Sequence, residues 1–297
     1  MRRFLVGISA TCAAIVAMMP SAAATRPHGW SEPENLGSMI NSGFEDTGPA
    51  ISKDGRVLYF QSTRPREDGS SHCTDIWVAE RQSVHHGWDT PQNLGPLVNT
   101  SACENSAGLS RNEHHLYFSR PPGDIWVAYR KDVRDPLGWE LPVRLGPTIN
   151  TETSAESTAR HFASTKHGIS QLYFFSNRPG GMGEADIYFA DLFGALPQPV
   201  GELNSPQTDG GAVLSKNGLE IFFHSTRPGV GVRDLWTATR NSVYEAWSAP
   251  SNLTDVNSTA EDLFPALSGE DNMLFFASTR PGGFGLGDIY VTTRGKH

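Results

Sequence analysis

The sequence contains none of the short signatures that mark a nucleophile, a phosphate cradle or a zinc site. It has no Gly-x-Ser-x-Gly elbow, no Walker loop and no dinucleotide fingerprint. Its "GGMG" and "GGFG" stretches read as turns between strands, because no helix follows to hold a phosphate. No His-x-x-x-His or Cys-x-x-Cys spacing occurs, which removes the common zinc arrangements. His85, His86, His114 and His115 fall in links or hairpins. His161 and His224 lie near inner strands, and each alone reads as a packed or solvated imidazole. No segment repeats apolar residues at 3.6-residue spacing, which excludes a helical solenoid. With 24 Lys and Arg against 32 Asp and Glu, the charge has the wrong sign for nucleic acid, which demands clustered cations.

Past the first residues, no run is apolar enough to span a membrane. Those first residues, MRRFLVGISATCAAIVAMMPSAAA, combine a basic start, an apolar run and a small-residue Ala-x-Ala ending at Ala24. They read as a secretory signal peptide over residues 1–24, so the mature chain is expected to be periplasmic or secreted. Its removal takes Arg2 and Arg3, leaving 22 basic side chains against 32 acidic ones, a net charge of −10. Of the three cysteines only Cys73 and Cys103 then remain. In an oxidising compartment they are expected to form a disulfide.

What is abundant is punctuation. Thirty glycines and twenty prolines recur at fixed places, and they frame one unit written five times. Each copy has a Ser-x-Arg-Pro phrase or its variant, placing Arg64, Arg120, Arg178, Arg227 and Arg280. A loop follows, then Asp with an apolar-aromatic pair: Asp75-Ile76-Trp77, Asp124-Ile125-Trp126, Asp186-Ile187-Tyr188, Asp234-Leu235-Trp236 and Asp288-Ile289-Tyr290. A Trp-x-x-Pro-x-x-Leu phrase precedes each unit, although the fourth copy, "LPQPVGELN", has lost its Trp. Every copy carries short apolar runs separated by Gly, Pro and Asn, the mark of strands. Four antiparallel strands in about 50 residues make one blade of a β-propeller. The fold expected for residues 25–297 is therefore all-β, a single five-bladed ring. The last copy ends at Thr293 without a fourth strand, so the first Trp-Pro strand, Trp30–Leu36, is expected to complete blade 5. Closure of that kind removes the sheet edges an open array would expose.

The phrase P-x-x-S-x-D-G-x-x-L-Y-F-x-S-x-R-P-G-G-x-G-x-x-D-I-Y resembles the WD40-like propeller repeat of bacterial exported proteins of the TolB type. The resemblance covers roughly residues 30 to 294 and implies a docking module, in a family whose members serve unrelated functions.

The links between blades carry Asn and then an acid: Asn41 with Asp46, Asn99 with Glu104, Asn150 with Glu156, Asn204 with Asp209 and Asn257 with Asp262. These acids are expected to ring the channel mouth on the face that carries the arginines. Ten recurrent carboxylates face five recurrent arginines, so one set is left over. The Asp of the third strand is the expected arginine partner, which leaves the ring for water, an organic ligand or a cation such as Ca²⁺. Symmetry breaks at two loops. From Arg to Asp, blade 1 uses eleven steps and blade 2 only four, a tall loop beside a notch that the disulfide would hold. Blade 3 carries an extra stretch, "RHFASTKHGIS", expected to bulge on the opposite face.

The function expected from these features is an exported binding propeller. It would take a small molecule, carbohydrate, peptide or protein on its acidic face, through Asp46, Glu104, Glu156, Asp209, Asp262 and the five arginines. The alternative is a carbohydrate-active hydrolase or lyase drawing a carboxylate pair from the same ring, separated by about 5.5 Å for retention or up to about 9.5 Å for inversion.

Overall fold

The chain forms five antiparallel sheets of four strands each, arranged as a five-bladed β-propeller. The computed structural model describes residues 29–295 apart from 68, 70–72, 193 and 195, so the expected export leader and its cleavage at Ala24 lie outside the described residues. Blade 1 runs Asp46–Ile51, Val57–Ser62, Asp75–Glu80 and Gln92–Asn93. Blade 3 is the longest, with inner strands Glu156–Ser164 and Ile169–Ser176. Its extra stretch extends this hairpin, which closes through a short 3-10 turn at Thr165–His167 and Gly168 at φ 64°. The first strands of successive blades pack on one another around the ring, so they line the axis.

The second strand of each blade is apolar throughout because it is covered on both faces. "VLYFQS" has Leu58, Tyr59 and Phe60 all at 0 % exposure. Alternate side chains of one strand enter the cores on either side of its blade: Tyr59 packs with Leu116 and Phe118 of blade 2, whereas Leu58 and Phe60 pack with Phe275 and Ile289 of blade 5. The protein therefore has a ring of five small cores, one at each blade junction.

A second repeated contact binds the outer edge. The Arg that ends a third strand stacks on the Trp of the Trp-Pro phrase: Arg81 on Trp88 at 4.3 Å, Arg130 on Trp139 at 4.5 Å, Arg240 on Trp247 at 4.1 Å and Arg294 on Trp30 at 4.5 Å. Blade 3 has lost both partners together. Leu192 stands where the Arg would be, and its outer phrase has no Trp.

Ring closure is as expected. Glu34 and Asn35 pair with Val291 and Tyr290, and Ser31 N donates to Thr293 O at 2.7 Å. Trp30, only 1 % exposed, seats its ring edge on Phe222 of blade 4. The disulfide is also present. Cys73, in the tall blade 1 loop, bonds Cys103, in the link entering blade 2, with Cα atoms 5.4 Å apart.

Two outcomes follow from this closure. Deleting residues 29–37 removes the latch strand and the Trp30 core contact, whose truncation alone costs about 3–5 kcal/mol. The ring is expected to melt at markedly lower temperature, and a truncated chain that melts like the full one contradicts the latch. Replacing Cys73 and Cys103 with Ser opens a loop spanning 30 residues. Urea titration should then show stability lower by about 3 kcal/mol.

Candidate functional site

The links between blades all place an apolar residue and then Asn: Ile40-Asn41, Val98-Asn99, Ile149-Asn150, Leu203-Asn204 and Val256-Asn257. The Asn amide clamps the third strand of the blade just left. Asn41 accepts from Ile289 N at 2.8 Å and donates to Ile289 O at 2.9 Å. Asn99, Asn150, Asn204 and Asn257 make the same pair of bonds to Ile76, Ile125, Ile187 and Leu235. The next residue then turns onto the ring carboxylate, as when Ser42 N and Oγ donate to Asp46 at 2.6 and 2.7 Å.

The arginines complete the unit. Arg64 donates to Asp46 at 2.5 Å, Arg120 to Glu104 at 2.8 Å, Arg178 to Glu156 at 3.2 Å, Arg227 to Asp209 at 2.6 Å and Arg280 to Asp262 at 2.7 Å. Each also donates to the carbonyl of the apolar link residue, Ile40, Val98, Ile149, Leu203 or Val256. The guanidinium lies over two rings of its own blade; Arg120, for instance, covers Phe118 at 5.1 Å and Trp126 at 4.5 Å. All five acids are 0 % exposed. Burial outweighs the bonds from Thr100 and Arg120 and pushes the Glu104 carboxyl above its usual range.

This geometry corrects the sequence expectation. The arginine partner is the ring carboxylate, not the Asp of the third strand. The reason is the backbone of the Arg-Pro-Gly loop, whose N–H groups converge on the third-strand Asp. Asp186 accepts from Met182 N at 2.9 Å, Asp234 from Val230 N at 2.5 Å, and Asp288 from Phe284 N at 2.7 Å. A Cβ at Gly181 or Gly229 would come within 1.9 Å of that carboxylate, which explains the glycine. Blades 1 and 2 lack the loop and substitute other cations. Arg66 donates to Asp75 at 2.5 Å, and Arg144 to Asp124 at 2.8 Å.

The ring of five carboxylates is thus sealed under arginines rather than offered to solvent. Such a carboxylate–guanidinium set does not suit Ca²⁺, which needs several free oxygens. Among the described residues no group of three or more His, Cys, Asp or Glu is placed to hold a metal ion. No helix among them is long and apolar enough to cross a membrane.

The positions just before the ring acids differ between blades. Blades 2, 3 and 4 carry Cys103, Ala155 and Thr208, but neighbouring blades 1 and 5 carry Glu45 and Glu261, both half-buried. Neither is in an ion pair among the described residues; the Glu45 carboxylate accepts from Thr47 Oγ1 at 3.5 Å. Two half-exposed rings lie on the same side of the ring, Phe44 (45 %) next to Glu45 in the chain and Phe284 (51 %) in the blade 5 loop, whereas Glu261 pairs through its backbone with Arg233 of blade 4. Leu286 N donates to Phe44 O at 3.3 Å, which draws these two loops together. The sequence carries this sector as a break in the repeat at Glu45 and Glu261, a signal that the search for recurrent acids passes over.

The histidines are packed or solvated, as read from sequence: His85 and His86 are exposed, His161 is half-buried and His224 is buried. His224 is 4 % exposed beside Phe264 and accepts from Phe264 N at 3.3 Å; burial first, then Arg233 and Arg160, push its pKa down to about 3. Burial likewise takes His161 down to about 4.

No protein-family model and no curated sequence matches the chain. Solved structures do match in fold. An α-L-arabinofuranosidase from Podospora anserina, in complex with cellotriose, is similar at TM-score 0.52 and 11 % identity, over 92 % of this chain and 99 % of that one. An α-L-arabinofuranosidase from Lactobacillus brevis gives 0.56 at 11 % identity, over 84 % of this chain and 90 % of that one. A GH43_1 enzyme from Xanthomonas citri gives 0.54 at 13 % identity, over 87 % of this chain and 90 % of that one. The expected membership in the TolB-type WD40-like family is overturned: no family model supports it, and the structural neighbours are five-bladed glycoside hydrolases. The quoted phrase is chiefly hairpin and blade-junction chemistry. In "S-x-D-G", for example, Ser52 Oγ donates to Asp54 and accepts from Val57 N, which closes a turn.

The packed histidines fix a pH dependence. Their folded pKa values of about 3 and about 4 lie below the ordinary 6.5, so the neutral form is favoured by folding. That stability is complete above pH 6.5 and is lost as pH falls through 4 toward 3. The melting temperature is expected to fall over this window. His224→Gln should flatten the slope by up to about 1.4 kcal/mol per pH unit. A variant slope equal to that of the unaltered protein contradicts the assignment.

Proposed function

We propose that the protein is an exported, carbohydrate-directed propeller that binds saccharide over the junction of blades 5 and 1, on the face bearing the Arg-Pro-Gly loops. The observation that carries this reading is the pair of exposed rings, Phe44 and Phe284, on adjoining loops of blades 1 and 5, with Glu45 next to Phe44 in the chain and Glu261 at the matching position one junction away, against blade 4. Sugar recognition calls for such a pairing, with apolar ring faces against C–H groups and a few convergent polar groups fixing orientation. Similarity of the whole ring to arabinofuranosidases, one holding cellotriose, supports the same class.

Within this reading Glu45 and Glu261 are the carboxylates available for glycoside hydrolysis. One would protonate the leaving oxygen, while the other would attack the anomeric carbon or activate water. The five ring acids cannot take these roles while each is buried against an arginine. That engagement also favours a second reading, saccharide binding without turnover.

The test uses arabinoxylan, arabinan, and xylo- and cello-oligosaccharides, scored by thermal shift and by release of reducing sugar. A saccharide is expected to raise the melting temperature, and Phe284→Ala to weaken that response at least tenfold. Hydrolysis abolished in Glu45→Gln and Glu261→Gln with binding retained establishes the enzyme. Binding with no product selects the second reading. No response to any of these saccharides would refute both.

A further inference from the structure

Arg160 is a cation that the ring does not neutralise. It stands on the first strand of blade 3 at the register position where the other blades carry Ala50, Gly108, Val213 and Ala266. Its side chain crosses the axis. Nη1 donates to Ser106 O of blade 2 at 3.4 Å and to Ala159 O at 3.2 Å, and Nη2 donates to Pro49 O of blade 1 at 3.4 Å. Gly108 makes room for it, since a Cβ there would lie 2.7 Å from Nη1. The residue is only 6 % exposed, and no carboxylate pairs with it among the described residues. Its Nε is buried with no hydrogen-bond partner.

The surroundings repeat this imbalance. Thr158 Oγ1, two residues away, is buried and also unpartnered, and so is Nε of Arg233. His224 accepts from Phe264 N through Nδ1, which leaves its neutral ring with the proton on Nε2, a donor. Burial and the two arginines keep that ring neutral. Arg160 and Arg233 both act on His224, and Arg160 makes no ion pair among the described residues. A buried guanidinium with three long bonds to carbonyls is poorly compensated, and a negative partner would correct that. Burial does not discharge it either, because its pKa falls only to about 10.

We propose that the channel binds a small monoanion, a halide or a carboxylate group, at Arg160, with Thr158 and His224 as neighbouring donors. The site is separate from Glu45 and Glu261 and does not depend on the saccharide reading. Its occupant would stabilise the ring by linkage, since it binds only the folded chain.

The test is made on the full chain in halide-free buffer near pH 7.5, at constant ionic strength, with sodium gluconate as the bulky reference. Replacing gluconate with chloride, bromide or acetate is expected to raise the melting temperature saturably, by about 5 °C at saturation. Arg160→Gln should abolish the increment. A response to halide alone assigns an inorganic anion, whereas a stronger response to acetate assigns the carboxylate of a ligand. Crystals of the unaltered protein grown in bromide should show an anomalous peak within hydrogen-bond distance of Arg160, which decides the matter even if the variant fails to fold. Equal melting in all salts, an increment that survives Arg160→Gln, or a site holding only water overturns the proposal.

Discussion

The ring depends on one shared contact, the link residue pair gripped from both sides. Asn41 ties its link to blade 5 through both backbone groups of Ile289. Arg64 of blade 1 holds the carbonyl of the preceding residue, Ile40, while Asp46 holds the following Ser42. Three consecutive residues thus fix the angle between two blades. Repeated five times, that angle determines whether the ring closes. The ion pair within the unit is buried, so its strength lies in full satisfaction: each carboxylate meets a guanidinium, a backbone N–H and a hydroxyl. Removing either partner would leave a buried charge without its counter-ion.

This use of charge explains why an acidic repeat does not produce an acidic mouth. Two sets of carboxylates recur, and both serve structure. One meets arginine; the other collects loop N–H groups where the Arg-Pro-Gly loop is complete, and a substitute cation where it is not. The saccharide and anion sites we propose draw instead on positions outside the repeat. Glu45 and Glu261 differ from their counterparts in the other three blades, and so does Arg160. In a propeller built by duplication, chemistry is found where the copies disagree.

The same logic applies to the outer edge. Blade 3 lacks both the stacking Arg and its Trp, so neither is left without its partner. Blade 1 lacks the glycine-rich loop and has a disulfide together with Arg66 in its place. Both of these departures leave the ring geometry intact.

By itself the sequence determined the strands, their number and the closing latch, because short apolar runs bounded by turn residues and the missing final strand constrain any chain in the same way. It also determined the disulfide, since two links on one face of neighbouring blades carry Cys73 and Cys103. It did not determine which carboxylate meets which arginine. Both sets lie within side-chain reach, and the choice rests on where the loop's N–H groups point. Nor did it reveal Arg160 as an axial cation. The first strand of blade 3 bulges at Thr158, with φ at 50°, and such a bulge shifts the facing of every residue after it. Alternation along the strand cannot foresee that shift. Only the assembled ring brings Pro49, Ser106 and Arg160 from three blades to one point, and the lack of an acid there is a property of that assembly.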